Sequence, residues 1–139
     1  MHRVPHQAVW VDGSVIVRVD ANETYQAVRE TMDAGALYVN GEPIDWGVEF
    51  TNNFIHDITN ELSGRGTTHG TYADAQHHNV KMENNIFYNV GNGAGFQNGG
   101  SFGTLANNIF IKCPTPTIYT DYESRLTGAL AKETLLFQR

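Results

Sequence analysis

The chain has 139 residues, of which 40% are hydrophobic and only 17% charged, with 14 glycines and a formal net charge of −6. One ordinary domain fits that length, and so few charges exclude a helical bundle, which needs Glu, Lys and Arg on its wet face. The negative balance opposes phosphate, so nucleic acid is not an expected partner, and the single cysteine, Cys113, rules out an internal disulfide framework.

The first residues, Met1-His2-Arg3-Val4-Pro5-His6, carry no apolar core of the signal-peptide kind. No stretch reaches the ~20 apolar residues that cross a bilayer, so no membrane span is expected. His2 and His6 are four apart, but Pro5 opposes a helix between them. Asp12-Gly13 is the first of a series of corner signals that continues with Asn40-Gly41, Asn92-Gly93 and Asn98-Gly99-Gly100. Gly and Asn tolerate the left-handed backbone of sharp corners.

From Asn22 onward a phrase recurs: two Asn, an apolar pair, two variable residues, an apolar residue. Asn22-Glu23-Thr24-Tyr25-Gln26-Ala27-Val28 is a degenerate copy, and also fits a glycosylation acceptor. The full copies are Asn52-Asn53-Phe54-Ile55-His56-Asp57-Ile58, Asn84-Asn85-Ile86-Phe87-Tyr88-Asn89-Val90 and Asn107-Asn108-Ile109-Phe110-Ile111-Lys112-Cys113. The first Asn thus stands at positions 22, 52, 84 and 107. Before each full copy stands a glycine-started strand: Gly35-Ala36-Leu37-Tyr38, Gly70-Thr71-Tyr72-Ala73 and Gly93-Ala94-Gly95-Phe96. The step from 70 to 93 equals the step from 84 to 107.

Two phrases in step at one period mark a stacked repeat. Short strands at such a period stack in parallel about 4.8 Å apart. The longer intervals need a loop inserted at one corner. Ile58, Val90 and Cys113, joined by Val28, should then form one inward column, and Phe54, Ile86 and Ile109 another. Asn52, Asn84 and Asn107 should stack as an amide ladder. A hairpin sandwich is the competing all-β arrangement, but it predicts no fixed period of this kind. In the tail, Leu126, Ala129 and Leu130 have helical spacing with Ser124 as N-cap. The segment 123–139 is therefore read either as a short helical cap or as the start of a next segment.

The run from Pro5 to about Tyr122 resembles the right-handed parallel β-helix proteins found among bacterial polysaccharide-degrading enzymes. Its phrasing is Pro5-His6-Gln7-Ala8-Val9, Val28 to Tyr38, Asp45-Trp46, Asn53 to Ile58, Gly70 to Asp74, and the two later Asn-Asn phrases. The resemblance implies an all-β solenoid of about four to five turns over residues 1–122, and an extracellular or periplasmic protein acting on polysaccharide or oligosaccharide. It points first to a glycosidase-like activity and leaves lyase, epimerase, a non-catalytic glycan-binding or surface-structural solenoid of the adhesin or tailspike kind, and an inactive fragment open. Full-length relatives run to several hundred residues, so the chain reads as a truncated piece; alternatively its exposed end pairs with another chain. Relatives often carry two adjacent acids where this chain has Asp74-Ala75.

Sugar chemistry uses paired carboxylates, and neighbouring turns supply the separations that retaining and inverting mechanisms need. Asp33 and Asp74 match acids in the family's phrasing and are the candidate catalytic pair, with Glu30 a like-charged neighbour of Asp33. The bland alternative is that both acids cap corners. His56 is the third catalytic candidate. Asp57 and His69 are candidate groove residues. His56 and Asp57 are adjacent on a strand, so their side chains should point apart and form no dyad. Tyr38, Trp46 and Tyr72 offer stacking faces for sugar rings, with core packing the stronger reading for Tyr72. His77-His78 cannot both ligate from one strand face. No metal or cofactor is expected.

Overall fold

The computed structural model describes residues 3–42, 44–59, 68–96, 100, 102–119, 130–132 and 135–137. In chain order the strands are β1 (Val9–Val11), β2 (Arg18–Asp20), β3 (Glu23–Tyr25), β4 (Ala34–Val39), β5 (Glu49–Thr51), β6 (Phe54–Ile58), β7 (Thr68–Ala73) and β8 (Lys81–Glu83). They continue with β9 (Ile86–Val90), β10 (Asn92–Phe96), β11 (Thr104–Ala106), β12 (Ile109–Ile111), β13 (Thr115–Tyr119), β14 (Leu130–Lys132) and β15 (Leu135–Phe137). Every third strand joins the same sheet, giving β1-β4-β7-β10-β13, β2-β5-β8-β11-β14 and β3-β6-β9-β12-β15. All these strand pairs are parallel. That excludes the hairpin sandwich and makes the chain a parallel β-helix of three sheets.

Backbone conformation at the corners explains the repeat. Ile16, Gly47, Asn79 and Phe102 precede the second sheet; Ala21, Asn52, Asn84 and Asn107 separate the second from the third; Gln26, Asp57, Asn89 and Lys112 follow the middle of the third. All twelve have φ between 51° and 75°. The three columns advance together from turn to turn: 16, 21 and 26 in the first, 47, 52 and 57 in the second, then 79, 84 and 89, then 102, 107 and 112. The span across the second and third sheets is therefore constant, and all variation in length falls around the first sheet.

In the second and third sheets a three-residue strand points its middle side chain inward. Val19, Phe50, Met82 and Leu105 form the inward column of the second sheet, all buried and in register. Thr24, Ile55, Phe87 and Phe110 form that of the third, with the Phe87 and Phe110 rings stacked at 4.6 Å. Burying a large apolar side chain is worth about 1.5–3 kcal/mol, whereas ordering the backbone costs about 1–2 kcal/mol for each residue. One turn with so few inward residues cannot hold itself, so stability comes from stacking.

The columns differ from the sequence expectation in three places. Phe54, Ile86 and Ile109 do stack in register, but Phe54 and Ile86 stand 37% and 39% exposed on the outer face. The left-handed corner two residues before them buries the second Asn of the phrase and so turns the residue after it outward. Ile58 and Val90 are paired and Cys113 is buried, as the period requires. The first-turn counterpart of Ile58 is Ala27, not Val28, because β3 pairs with β6 through Thr24 on Ile55. The amide ladder uses the second Asn of each phrase. Asn52, Asn84 and Asn107 are exposed corner residues, whereas Asn53, Asn85 and Asn108 are buried. Burial places Cys113 among apolar atoms and raises its thiol pKa.

Smaller offsets follow the same logic. Gly35 pairs with His69 and Leu37 with Thr71, so the first glycine-started strand sits one residue out of step with Gly70. Asn92-Gly93 lies inside β10 rather than at a corner, while Gly13 and Gly41 do turn corners with φ of 58° and 70°. Leu130, placed on a helix by its spacing, begins strand β14, which pairs with β11; β15 likewise joins β12. Ser124, Leu126 and Ala129 lie outside the described residues, as do His2, Asn98 and Gly99.

Candidate functional site

Length variation around the first sheet points to where side chains could be recruited, since variable connections on a rigid scaffold carry most sites. The outer face of that sheet bears an aromatic column. Trp10, Tyr38 and Tyr72 pair in register on β1, β4 and β7. Trp10 is 60% exposed, and partners in a parallel register share a face, so both tyrosines point outward. The Trp10 and Tyr38 rings meet edge-on at 6.0 Å, and Tyr38 and Tyr72 at 5.4 Å. Tyr72 is thus buried on the outer side of the sheet rather than in the core.

Both hydroxyls end on the two predicted acids. Tyr38 Oη donates to Asp74 Oδ2 at 2.9 Å, and Tyr72 Oη donates to Asp33 Oδ1 at 3.2 Å. Asp74 also acts on the Tyr72 hydroxyl. The structure therefore brings Asp33, Asp74, Tyr38 and Tyr72 together from distant parts of the sequence. Burial, followed by Asp74 and Asp33, pushes both phenol pKa values well above the ordinary 10. The tyrosines consequently stay protonated and act as hydrogen-bond donors, not bases. Asp74 Oδ1 accepts the Ala75 backbone N–H at 2.7 Å, so the corner-capping role also holds for this acid. Beside the cluster lies a mainly apolar hollow of ≈ 520 Å³, lined by Val9, Trp10, Val11, Asp12, Ser14 and Val17.

His69 joins the same face. Its ring stacks on Tyr72 at 4.3 Å and rests over Gly95, where an added methyl would sit 2.7 Å from Nδ1. The ring is wholly buried, and among the described residues neither nitrogen has a hydrogen-bond partner. His77 is also buried, with Nδ1 3.2 Å from the Ala75 carbonyl oxygen, and packs beside Gly100. Burial lowers the pKa of both rings from 6.5 to about 4. The unfolded chain takes up protons at these rings near pH 6.5, while the fold resists until about pH 4. Stability is therefore complete above pH 6.5 and falls as the pH drops toward 4. Between pH 7 and pH 5 the loss is about 2 kcal/mol for each ring. His69→Phe should shrink the pH 7-to-5 drop in urea-unfolding free energy by that amount and leave pH 7 stability no lower. A variant profile parallel to the parent's would refute the buried neutral ring.

The remaining candidates stand elsewhere. Glu30 is exposed, and its backbone N–H bonds to the Pro5 carbonyl oxygen. Trp46, 48% exposed, sits at the corner before the second sheet, with its ring 6.1 Å from His78 and 6.4 Å from Phe102. The buried Asp45 beside it is a corner cap, accepting the Ser14 and Glu42 backbone N–H groups. His56 and Asp57 lie on the third sheet and correct the sequence expectation, because they do form a dyad. His56 Nδ1 is 2.9 Å from Asp57 Oδ2. Asp57 occupies a left-handed corner with φ of 52°, which cancels the strand alternation that would have separated them.

His56 Nε2 lies 3.4 Å from Glu23 Oε1, and its ring is stacked against those of Tyr25 and Phe54. Asn89 Nδ2 donates to Asp57 Oδ1 at 2.6 Å; that bond first, then His56, lowers the Asp57 pKa. A polar hollow of ≈ 690 Å³ lies here, lined by Arg3, Gln26, Arg29, Asp57, Thr59 and Asn89. It is larger than the hollow beside Trp10, but among the described residues lining it Asp57 faces no second carboxylate. The acid pair is therefore the stronger candidate for sugar chemistry.

Sequence reasoning missed Trp10, which extends the tyrosine column. Its signal was an aromatic at corresponding places on three strands, hidden by the unequal steps from 10 to 38 to 72. At the glycosylation-acceptor phrase, Asn22 Nδ2 donates to the Asp20 carbonyl oxygen at 2.9 Å and to Asn53 Oδ1 at 3.3 Å, and Thr24 is wholly buried in the third sheet. Among the described residues there is no cluster of three or more His, Cys, Asp or Glu that could hold a metal ion. Nor is any helix among them long and apolar enough to cross a membrane.

Compared with known families, residues 1–130 match the family model described as the right-handed beta helix region. No curated protein matches the chain, and no solved structure does.

Proposed function

Because this chain belongs to the right-handed β-helix family, we propose that the outer face of its first sheet binds a glycan and cleaves it through Asp33 and Asp74. The observation that carries this reading is the convergence of both acids on the tyrosine hydroxyls beside the exposed Trp10 and its hollow. Two carboxylates flanking a bond supply an acid and a base or nucleophile. A tryptophan face supplies the apolar platform on which a sugar ring stacks. A hollow of that volume lies in the range that takes small ligands. A glycan of this kind is met outside the cytoplasm, and an extracellular or periplasmic location belongs to the same proposal.

A second reading, glycan binding without turnover, has its own support. Both oxygens of Asp74 already accept hydrogen bonds, from Tyr38 and from the Ala75 backbone, and Ala75 stands where relatives often carry another acid. Incubation with an oligosaccharide panel separates the two. New reducing ends without unsaturated products indicate hydrolysis, and new reducing ends accompanied by unsaturated products indicate a lyase. Retention without products leaves the binding reading, and neither retention nor products removes both.

A further inference from the structure

The proposed acid chemistry leaves His69 without a task. Packing alone does not explain an imidazole there. A phenylalanine would fill the space between Tyr72 and Gly95 without the roughly 1–3 kcal/mol cost of an unpartnered buried polar group. Neutral imidazole offers one N–H donor and one bare acceptor nitrogen. A ligand hydroxyl can serve either, since it both donates and accepts. A carboxylate or sulfate can only accept, and an ammonium can only donate.

The surrounding charge narrows the ligand further. Asp74, Asp33 and Asp12 all act on the Tyr38 hydroxyl, and Asp74 and Asp33 on that of Tyr72. Among the described residues, the charges acting on the two hydroxyls are thus carboxylates. Asp12 lines the hollow beside Trp10. An anionic sugar in the hollow would meet the like charge of Asp12.

Resting on the glycan reading above, we propose that this site selects an uncharged saccharide, with His69 taking a ligand hydroxyl, and rejects saccharides that carry carboxylate or sulfate groups. Since the Tyr72 ring covers His69, occupation requires that ring to shift aside.

The test is calorimetric titration of the full chain at low ionic strength. The probes are tetramers of glucose, galactose and mannose, each paired with the tetramer of the matching uronic acid. At least one neutral tetramer should bind, and its uronate counterpart should bind at least about ten-fold more weakly. Asp12→Asn should narrow that gap by about two- to five-fold, the usual scale of an exposed charge pair. His69→Phe should weaken neutral binding by about five- to ten-fold, the worth of one hydrogen bond, with no loss of stability at pH 7. Uronates binding as tightly as neutral sugars would overturn the selection and leave the glycan reading intact. Unchanged affinity in His69→Phe would overturn the role of that ring. Failure of both series to bind would remove the glycan reading and this inference together.

Discussion

Asp33→Asn and Asp74→Asn are each expected to lower turnover of a responsive glycan by roughly 10²- to 10⁴-fold, the contribution typical of a positioned acid or base. Asparagine keeps the carboxylate's shape and one acceptor oxygen. In Asp74→Asn that oxygen can still take the Ala75 backbone N–H, and the new amide can donate to Tyr38 Oη. The corner should survive while the proton-transfer chemistry is lost. The loss should fall on kcat, with KM little changed, because stacking on Trp10 and the hydroxyl contacts do not depend on either charge. Initial rates with circular dichroism of each variant check this. Full activity in both variants would end the catalytic reading. Loss of binding along with turnover would instead favour a pair that only holds the sugar.

The largest stability effect is expected at Asn85. Its Oδ1 accepts the Asn53 backbone N–H at 2.9 Å and the Asn53 side-chain amide at 3.1 Å, and its Nδ2 donates to the Phe50 carbonyl oxygen at 2.8 Å. Its own backbone N–H donates to Asn108 Oδ1 at 2.9 Å. One side chain thereby ties the second sheet to the third and bridges neighbouring turns. Asn85→Ala strands a buried N–H and a buried carbonyl, each costing about 1–3 kcal/mol, and leaves a cavity. A loss of roughly 4 kcal/mol is expected, enough to unfold a marginal domain. The neighbouring Asn84 is exposed at a left-handed corner with φ of 59°. Asn84→Gly should therefore change stability little, because glycine adopts that backbone freely. Urea unfolding of the two variants gives the contrast, and equal losses at 84 and 85 would contradict the buried ladder.

That pair of residues shows how far the sequence could be read. The Asn-Asn phrase announced a stacked corner, yet it did not say which Asn turns the chain and which one is buried. Asparagine suits both roles. The difference rests on a single left-handed residue that rotates everything after it by one position. The same rotation put Phe54 and Ile86 outside when their spacing suggested the core, and the next left-handed corner, at Asp57 itself, brought that acid onto His56. For the site, Asp33 and Asp74 were legible as acids near the glycine-started strands. Their meeting was not, since it runs through tyrosine hydroxyls on neighbouring strands. Tyr38 reaches Asp74 because it pairs with Tyr72, a step from 38 to 72 that the other two sheets do not share.

By itself the sequence determined the stacked parallel coil. The second and third sheets recur at one fixed span, and a fixed span repeats the same contacts in every turn. Only the tertiary structure decided the candidate site. It forms around the first sheet, where the chain runs between corners from 26 to 47, from 57 to 79 and from 89 to 102, three unequal lengths. Side chains that meet there share no common interval, and their contacts depend on how each connection folds across its neighbours.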